Sequence, residues 1–329
     1  MNKDLLIKHT QQLLTSGKGI LAADESNSTM GKRLEALGKE NTEENRAAYR
    51  NMLFTTPNLN NFVTGVILYE ETLFQSYQGK RHTENLNNNN IAWGIKVDTG
   101  LTELNENQET ITNGLDTLES RLTEYAKANP IFTKWRATFK ITDTLPSTDA
   151  INQNCKRLAK YAKIVQSFNI VPIVEPEILI TGTYSIERSY EVHHQVFTSL
   201  FNELKNEDVF IPGLLLKPSM VINGMDNPNY SKHENVADLT IKCFRETLPK
   251  DLPGIVFLSG GQASNDAFSN LNNIIKLKTE NDPWVISFSY GRALVNDALA
   301  GFCNDDLSVG QSNLFKNSEN CSKAALGSL

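Results

Sequence analysis

Phe210-Ile211-Pro212-Gly213-Leu214-Leu215-Leu216-Lys217-Pro218 is a nearly unbroken apolar run that ends in a lysine. An apolar run of strand length without alternation is what a parallel strand needs when both faces of its sheet are covered. Similar β-rich runs recur at residues 19–23, 62–69, 91–97, 137–141, 170–174, 254–258 and 284–288, making eight with 210–216. Between them lie helix-like stretches such as 29–37, where Met30, Leu34 and Leu37 have helical spacing and Gly38 provides a stop. No linker divides the chain. Eight strand–helix units in one uninterrupted sequence predict an α/β fold, a single closed (β/α)8 TIM barrel over residues 1–329. A helix precedes the barrel and a C-terminal extension, packed over it or partly mobile, begins at about residue 304.

Smaller local features are expected to be structural. Asn41-Thr42-Glu43-Glu44 resembles a capping box with Asn41 as cap and Glu44 reaching back. The asparagine-rich stretch 84–90 reads as a solvated loop.

Composition narrows the function. The 329 residues carry a net charge of −6 and no basic stripe, so neither nucleic acid nor an anionic membrane is an expected partner, and an anionic substrate would need local positive charge. The N-terminal residues contain no uninterrupted apolar stretch of signal-peptide length, and no segment approaches eighteen apolar residues. A cytoplasmic protein is therefore expected. Cys155, Cys243, Cys303 and Cys321 are far apart and form no CxxC pair, which suits free thiols in a reducing compartment. His9, His82, His193, His194 and His233 end no strand and show no HExxH spacing, so a metal is not expected; His193-His194 reads as a polar helix surface. Neither GxGxxG nor GxxxxGK[ST] occurs, and no cofactor is expected.

Barrel enzymes carry their chemistry at the C-terminal ends of the strands, and here nearly every run ends in polar residues. Asp24-Glu25-Ser26 follows the first, and Lys96 and Asp98 mark the third. Lys134-Trp135-Arg136 leads into the fourth, which holds Lys140, and Glu175-Pro176-Glu177 ends the fifth. Lys217 ends the sixth, Ser259-Gly260-Gly261 the seventh and Ser289-Tyr290-Gly291-Arg292 the eighth. Taken singly, acidic residues in such places usually cap the next helix, and a lysine ending an apolar strand is more often a snorkelling stem or half of an ion pair. Together they would converge on one mouth. Burial there would push Lys217 toward the free amine, the form that attacks a carbonyl to make a Schiff base. The two glycine turns, with their hydroxyls and the planar fork of Arg292, suit a phosphate at the usual phosphate position of a barrel.

These motifs resemble the class I (Schiff-base) fructose-bisphosphate aldolases from about residue 17 to 300. The matching stretches include Gly19-Ile20-Leu21-Ala22-Ala23-Asp24-Glu25-Ser26, Asn41-Thr42-Glu43-Glu44-Asn45-Arg46, Gly94-Ile95-Lys96-Val97-Asp98, Lys134-Trp135-Arg136, Val174-Glu175-Pro176-Glu177, Leu215-Leu216-Lys217-Pro218, Leu258-Ser259-Gly260-Gly261-Gln262 and Ser289-Tyr290-Gly291-Arg292. The resemblance implies Lys217 as the Schiff-base lysine and Glu175 as the general acid and base for the carbinolamine, with Glu177 as its helper. It implies Asp24 at the substrate C4 hydroxyl and Lys134 as a supporting ammonium. Ser259, Gly260, Gly261, Ser289, Gly291 and Arg292 would take the C1-phosphate, and Ser26, Thr29, Arg33 and Lys96 the C6-phosphate, with Arg136 also on the substrate. It further implies a phosphorylated sugar substrate, glycolysis or gluconeogenesis as its setting, and a homo-oligomer, commonly a tetramer.

The sequence also departs from the animal members, which close with a tyrosine on a mobile tail. Here the last residues are Leu326-Gly327-Ser328-Leu329, so proton exchange at C3 is expected to be slower or to use another group. Thr29 stands where serine is usual and Thr99 where lysine is frequent. Other readings are a Schiff-base aldolase or transaldolase acting on a different sugar phosphate, and a catalytically silent binding scaffold that keeps the barrel.

Overall fold

The structure is a computed structural model that describes residues 1–230 and 235–329; His233 lies outside the described residues. Among these, eight parallel strands form one sheet in chain order: β1 (Gly19–Ala23), β2 (Val63–Leu68), β3 (Ala92–Lys96), β4 (Phe132–Phe139), β5 (Val171–Ile178), β6 (Leu215–Leu216), β7 (Gly254–Phe257) and β8 (Val285–Phe288). The sheet closes on itself where the Ala22 amide donates to the Tyr290 carbonyl at 2.9 Å and Ser287 Oγ to the Lys18 carbonyl at 2.6 Å. The helices are α1 (Lys3–Leu13), α2 (Asn27–Glu35), α3 (Glu43–Phe54), α4 (Glu70–Phe74), α5 (His82–Asn88), α6 (Leu118–Ala126), α7 (Thr148–Ser167), α8 (Ile186–Asn206), α9 (Val236–Thr247), α10 (Ser264–Leu277), α11 (Arg292–Cys303) and α12 (Leu307–Ala325). This is the (β/α)8 barrel expected from the sequence.

Strand side chains alternate between two apolar clusters, as the twofold period of a strand requires. On β1, Ile20 and Ala22 face the barrel interior while Leu21 and Ala23 pack outward under the helices. On β5, Val171 and Ile173 face in and Val174 and Ile178 face out. Leu215 and Val256 add to the interior, and Leu6 and Leu13 of α1, with Leu14, close its N-terminal end. The same inward period, carried to the C-terminal ends of the strands, reaches Asp24, Lys96, Lys134, Glu175, Lys217 and Ser289, and there the interior changes from apolar to charged.

Several local expectations are corrected. The fourth strand begins at Phe132 rather than 137, so Lys134 and Arg136 lie within it, while Lys140 follows it and bonds the Asn107 carbonyl at the surface. The tryptophan and two bases in 134–136 hid a strand whose outward residue is Trp135, fully buried under the helices. The cap of α3 is Thr42, which accepts from the Asn45 amide at 3.0 Å; Asn41 instead accepts from Arg46. The asparagine-rich stretch is mostly helix α5, whose buried Leu86 anchors it. His193 is buried, its Nδ1 2.7 Å from the Ser189 carbonyl, while His194 is on the partly exposed face of α8. The C-terminal extension is the ordered helix α12, packed against α10, α11 and α3. Its approach is close because Gly301 of α11 faces the backbone of Gly310. Residues 326–329 lie against Gly17 and α10, at the end of the barrel opposite the charged strand ends.

Candidate active site

A cleft of about 570 Å³ opens over the C-terminal ends of the strands. Its described lining holds seven basic side chains (Lys32, Arg33, Lys96, Lys134, Arg136, Lys217, Arg292) against five carboxylates (Asp24, Glu25, Asp98, Glu175, Glu177). A chain of net negative charge thus keeps a local positive excess for an anion.

At its floor, four strands, β1, β4, β5 and β6, supply an alternating line of charges. Lys134 Nζ lies 2.7 Å from Asp24 Oδ2 and 3.0 Å from Glu175 Oε2, and Lys217 Nζ lies 3.1 Å from Glu175 Oε1. The order Asp24–Lys134–Glu175–Lys217 alternates sign, so each buried charge has an opposite neighbour, the condition under which buried charges are tolerated. Lys134 and Lys217 are each 3% exposed and Glu175 5%. Lys217 is therefore buried as its sequence context suggested, and it is paired with a carboxylate.

Burial alone would raise the Asp24 carboxyl, but Lys134 and Lys217 outweigh it and hold the group at about 2. Glu175 is moved the same way: burial opposes ionisation, and Lys134 and Lys217 override it. For Lys134, burial works against the ammonium, yet Asp24 and Glu175 raise its pKa. Both carboxylates and the Lys134 ammonium are thus ionised at neutral pH. Beside this line, Arg136 Nε is ion-paired with Glu177, and Lys96 Nζ lies 2.9 Å from Asp98 Oδ1.

On one side of the cleft, Ser26 caps α2 by accepting from the Thr29 amide at 3.3 Å, and its Oγ is 3.1 Å from Thr29 Oγ1. Arg33 reaches the cleft from the same helix, paired with Glu25 and bonded to Asn296 Oδ1 at 3.0 Å. On the other side are Ser259, Gly260, Ser289, Gly291 and Arg292. Ser289 Oγ is buried and has no protein partner among the described residues, a donor left for a ligand. Gly260 and Gly261 have φ of +62° and +100°, values that glycine adopts without strain. A Cβ on Gly261 would lie 3.3 Å from Arg292 Nη2, so the bare backbone leaves the guanidinium its place.

Comparison with known proteins adds an independent line. The family model of class-I fructose-bisphosphate aldolases matches residues 5–329. The chain belongs to the class I fructose-bisphosphate aldolase family. Among this family's members, the cytoplasmic isozyme 1 of fructose-bisphosphate aldolase from Pisum sativum is 45% identical over 94% of this chain and 86% of its own length. The fructose-bisphosphate aldolase of Dictyostelium discoideum is 43% identical over 93% of this chain and 87% of its own. The fructose-bisphosphate aldolase from Plasmodium falciparum, solved in complex with TRAP and a small molecule inhibitor, superposes with a TM-score of 0.96. It is 41% identical and covers 100% of this chain and 96% of its own.

Of the residues singled out from the sequence, Gly261 and Lys140 do not line the cleft: the backbone of Gly261 lies beside the Arg292 guanidinium, and Lys140 is at the surface. Lys32, Gly100, Leu101 and Leu258 line it and were not singled out. Lys32 adjoins Arg33 in a helix whose sequence gives no sign of which face meets the mouth. Leu101 begins an antiparallel hairpin, Leu101–Glu103 with Thr110–Thr112, inserted between β3 and β4, and barrel periodicity does not foresee it. Among the described residues no group of three or more His, Cys, Asp or Glu is placed to hold a metal ion, and no helix is long and apolar enough to cross a membrane.

Proposed function

We propose that the cleft reversibly cleaves fructose 1,6-bisphosphate to dihydroxyacetone phosphate and glyceraldehyde 3-phosphate through a Schiff base on Lys217, in glycolysis and gluconeogenesis. The single observation that carries this reading is the buried Lys217 amine 3.1 Å from Glu175, at the floor of a cleft with the two glycine turns on one side and the Ser26–Arg33 donors of α2 on the other. Glu175 takes the proton that Lys217 must lose before attacking the C2 ketone, and returns a proton to the carbinolamine hydroxyl so that water leaves. The protonated imine at C2 then receives the electron pair of the breaking C3–C4 bond, which a neutral ketone accepts far less readily. Asp24 accepts the C4 hydroxyl proton as that bond breaks. A carboxyl held at about 2 is a weak base, but Lys134 lies between Asp24 and Glu175 and can shift its hydrogen bonds to Glu175 as Asp24 is neutralised. Enamine protonation at C3 and hydrolysis of the imine release the second product and restore Lys217.

The roles follow the same geometry. Ser259, Gly260, Ser289, Gly291 and Arg292 hold one phosphate, with Gly261 beside Arg292, and Ser26, Thr29, Arg33 and Lys96 hold the other. Arg136 and Glu177 steady the substrate between them. The enzyme works in the cytoplasm, as one barrel unit in a homo-oligomer; relatives named cytosolic support the compartment, although others are named chloroplastic. Light scattering on the purified protein tests the oligomer, a monomer at working concentration being the opposing result.

Borohydride reduction in the presence of substrate is the direct test of the chemistry. Wild-type protein should be trapped at Lys217, and Lys217→Ala should lose trapping while keeping its circular dichroism spectrum. Trapping that persists in Lys217→Ala would refute the assignment. Turnover of fructose 1,6-bisphosphate compared with fructose 1-phosphate, with and without chelator, separates this reading from an aldolase or transaldolase for another sugar phosphate.

A further inference from the structure

Glu71, the second residue of α4, does not line the cleft, yet it gathers more polar partners than any local role in a five-residue helix requires. Its Oε1 accepts from Asn27 Nδ2 at 3.0 Å and from Arg46 Nη2 at 2.5 Å. Its Oε2 accepts from Arg46 Nε at 2.9 Å and lies 3.5 Å from Arg50 Nη1. Arg50 is fully buried, and its Nη2 donates to the Glu25 carbonyl at 2.7 Å. Both branches therefore end on the same short segment. Asn27 and Glu25 flank Ser26, the cap of α2, and the Glu25 side chain pairs with Arg33.

From this we infer that Glu71 is a positioning residue for the Ser26–Arg33 side of the cleft, holding it through Asn27 and, by way of Arg50, through the Glu25 carbonyl. The inference rests on the assignment of that side to the second phosphate of a bisphosphate substrate. Donors on a loop engage a phosphate tightly only when they are held in register beforehand, because a misplacement of about 1 Å can cost as much as a hundredfold. A bidentate carboxylate–guanidinium pair is a rigid means of holding them. The start of α3 takes on a second meaning here: with Thr42 as its cap, the helix delivers Arg46 and, one turn on, Arg50 to Glu71.

The test is steady-state kinetics of wild type, Glu71→Gln and Asn27→Ala on fructose 1,6-bisphosphate and on fructose 1-phosphate, which lacks the second phosphate. Asn27→Ala cuts the direct one of the two links without leaving a buried charge unpaired, so it tests that link even if Glu71→Gln folds poorly. The expected result is a KM for the bisphosphate raised about tenfold with kcat within about twofold, and monophosphate kinetics within about twofold of wild type. Equal losses on both substrates, or Asn27→Ala indistinguishable from wild type on both, would overturn the inference. Failure of the wild type itself to cleave the bisphosphate would instead refute the underlying assignment, and the inference with it.

Discussion

At the scale of single residues, Lys134 is the group on which the others depend. It pairs with two buried carboxylates at once, so removing it strands Asp24 and leaves Glu175 with Lys217 alone. Lys134→Met should destabilise the protein by about 3–5 kcal/mol, read from urea unfolding, because breaking a buried pair leaves uncompensated charge. It should also slow borohydride trapping. Asp24 sets a pH dependence whose direction follows from its lowered pKa. The carboxyl is held at about 2 against an ordinary value of 3.8, so its contribution is complete above about pH 4 and is lost as pH falls through the interval to about 2. That contribution is about 2 kcal/mol, and the raised pKa of Lys134 is the same pairing seen from the other side, so it is not added. Asp24→Asn should flatten the acid limb of the stability curve over this interval; an unchanged limb would show that Asp24 is not held there. Lys217, Glu175 and Asp24 could be singled out in the sequence only as a set, because each alone has an innocent reading while charges ending successive apolar runs must meet at one mouth of a barrel. Glu71 could not, because its partners come from residues 27, 46 and 50 and only folding brings them together.

At the scale of elements, the decisive feature is that the inward period of each strand continues past its apolar half. The residues that fill the interior below and those that form the site above belong to one register, so strand pairing and active-site alignment are the same structural fact. Lys134 is paired across the sheet with Lys96 on one side and Ile173 on the other, two residues before Glu175. A second element-level contact is the seat of α12. A Cβ on Gly301 would lie 2.6 Å from the Gly310 amide nitrogen, which is backbone and cannot swing aside. Gly301→Ala should therefore push α11 and α12 apart and cost about 1–3 kcal/mol, measured by thermal or urea unfolding. Strand positions were readable from apolar runs, but two starts were not: the run 210–216 opens with a 3-10 turn at Ile211–Gly213, so β6 is only Leu215–Leu216, and β4 begins early because Lys134 and Arg136 face a charged interior that polarity patterns assign to solvent.

For the whole molecule, the apolar plug and the charged cleft occupy opposite ends of the barrel. Leu6 of α1 is fully buried against the interior cluster at the N-terminal end, and the charged strand ends form the other. Leu6→Ala should cost about 2–5 kcal/mol by the cavity it leaves, yet change KM and kcat little below the unfolding transition. A matching loss of kcat at low temperature would argue that the two ends are coupled.

The sequence by itself determined the strand–helix alternation, the eightfold count and the residue types at the strand ends, because hydrophobic periodicity and chain order are local properties. Tertiary structure alone decided that Lys134 is shared between Asp24 and Glu175, that Lys32 and Leu101 reach the cleft, and that Glu71 stands behind it. Those arrangements depend on barrel closure, which brings residues far apart in the chain within a few ångströms of one another, and no pattern within a single element encodes that distance.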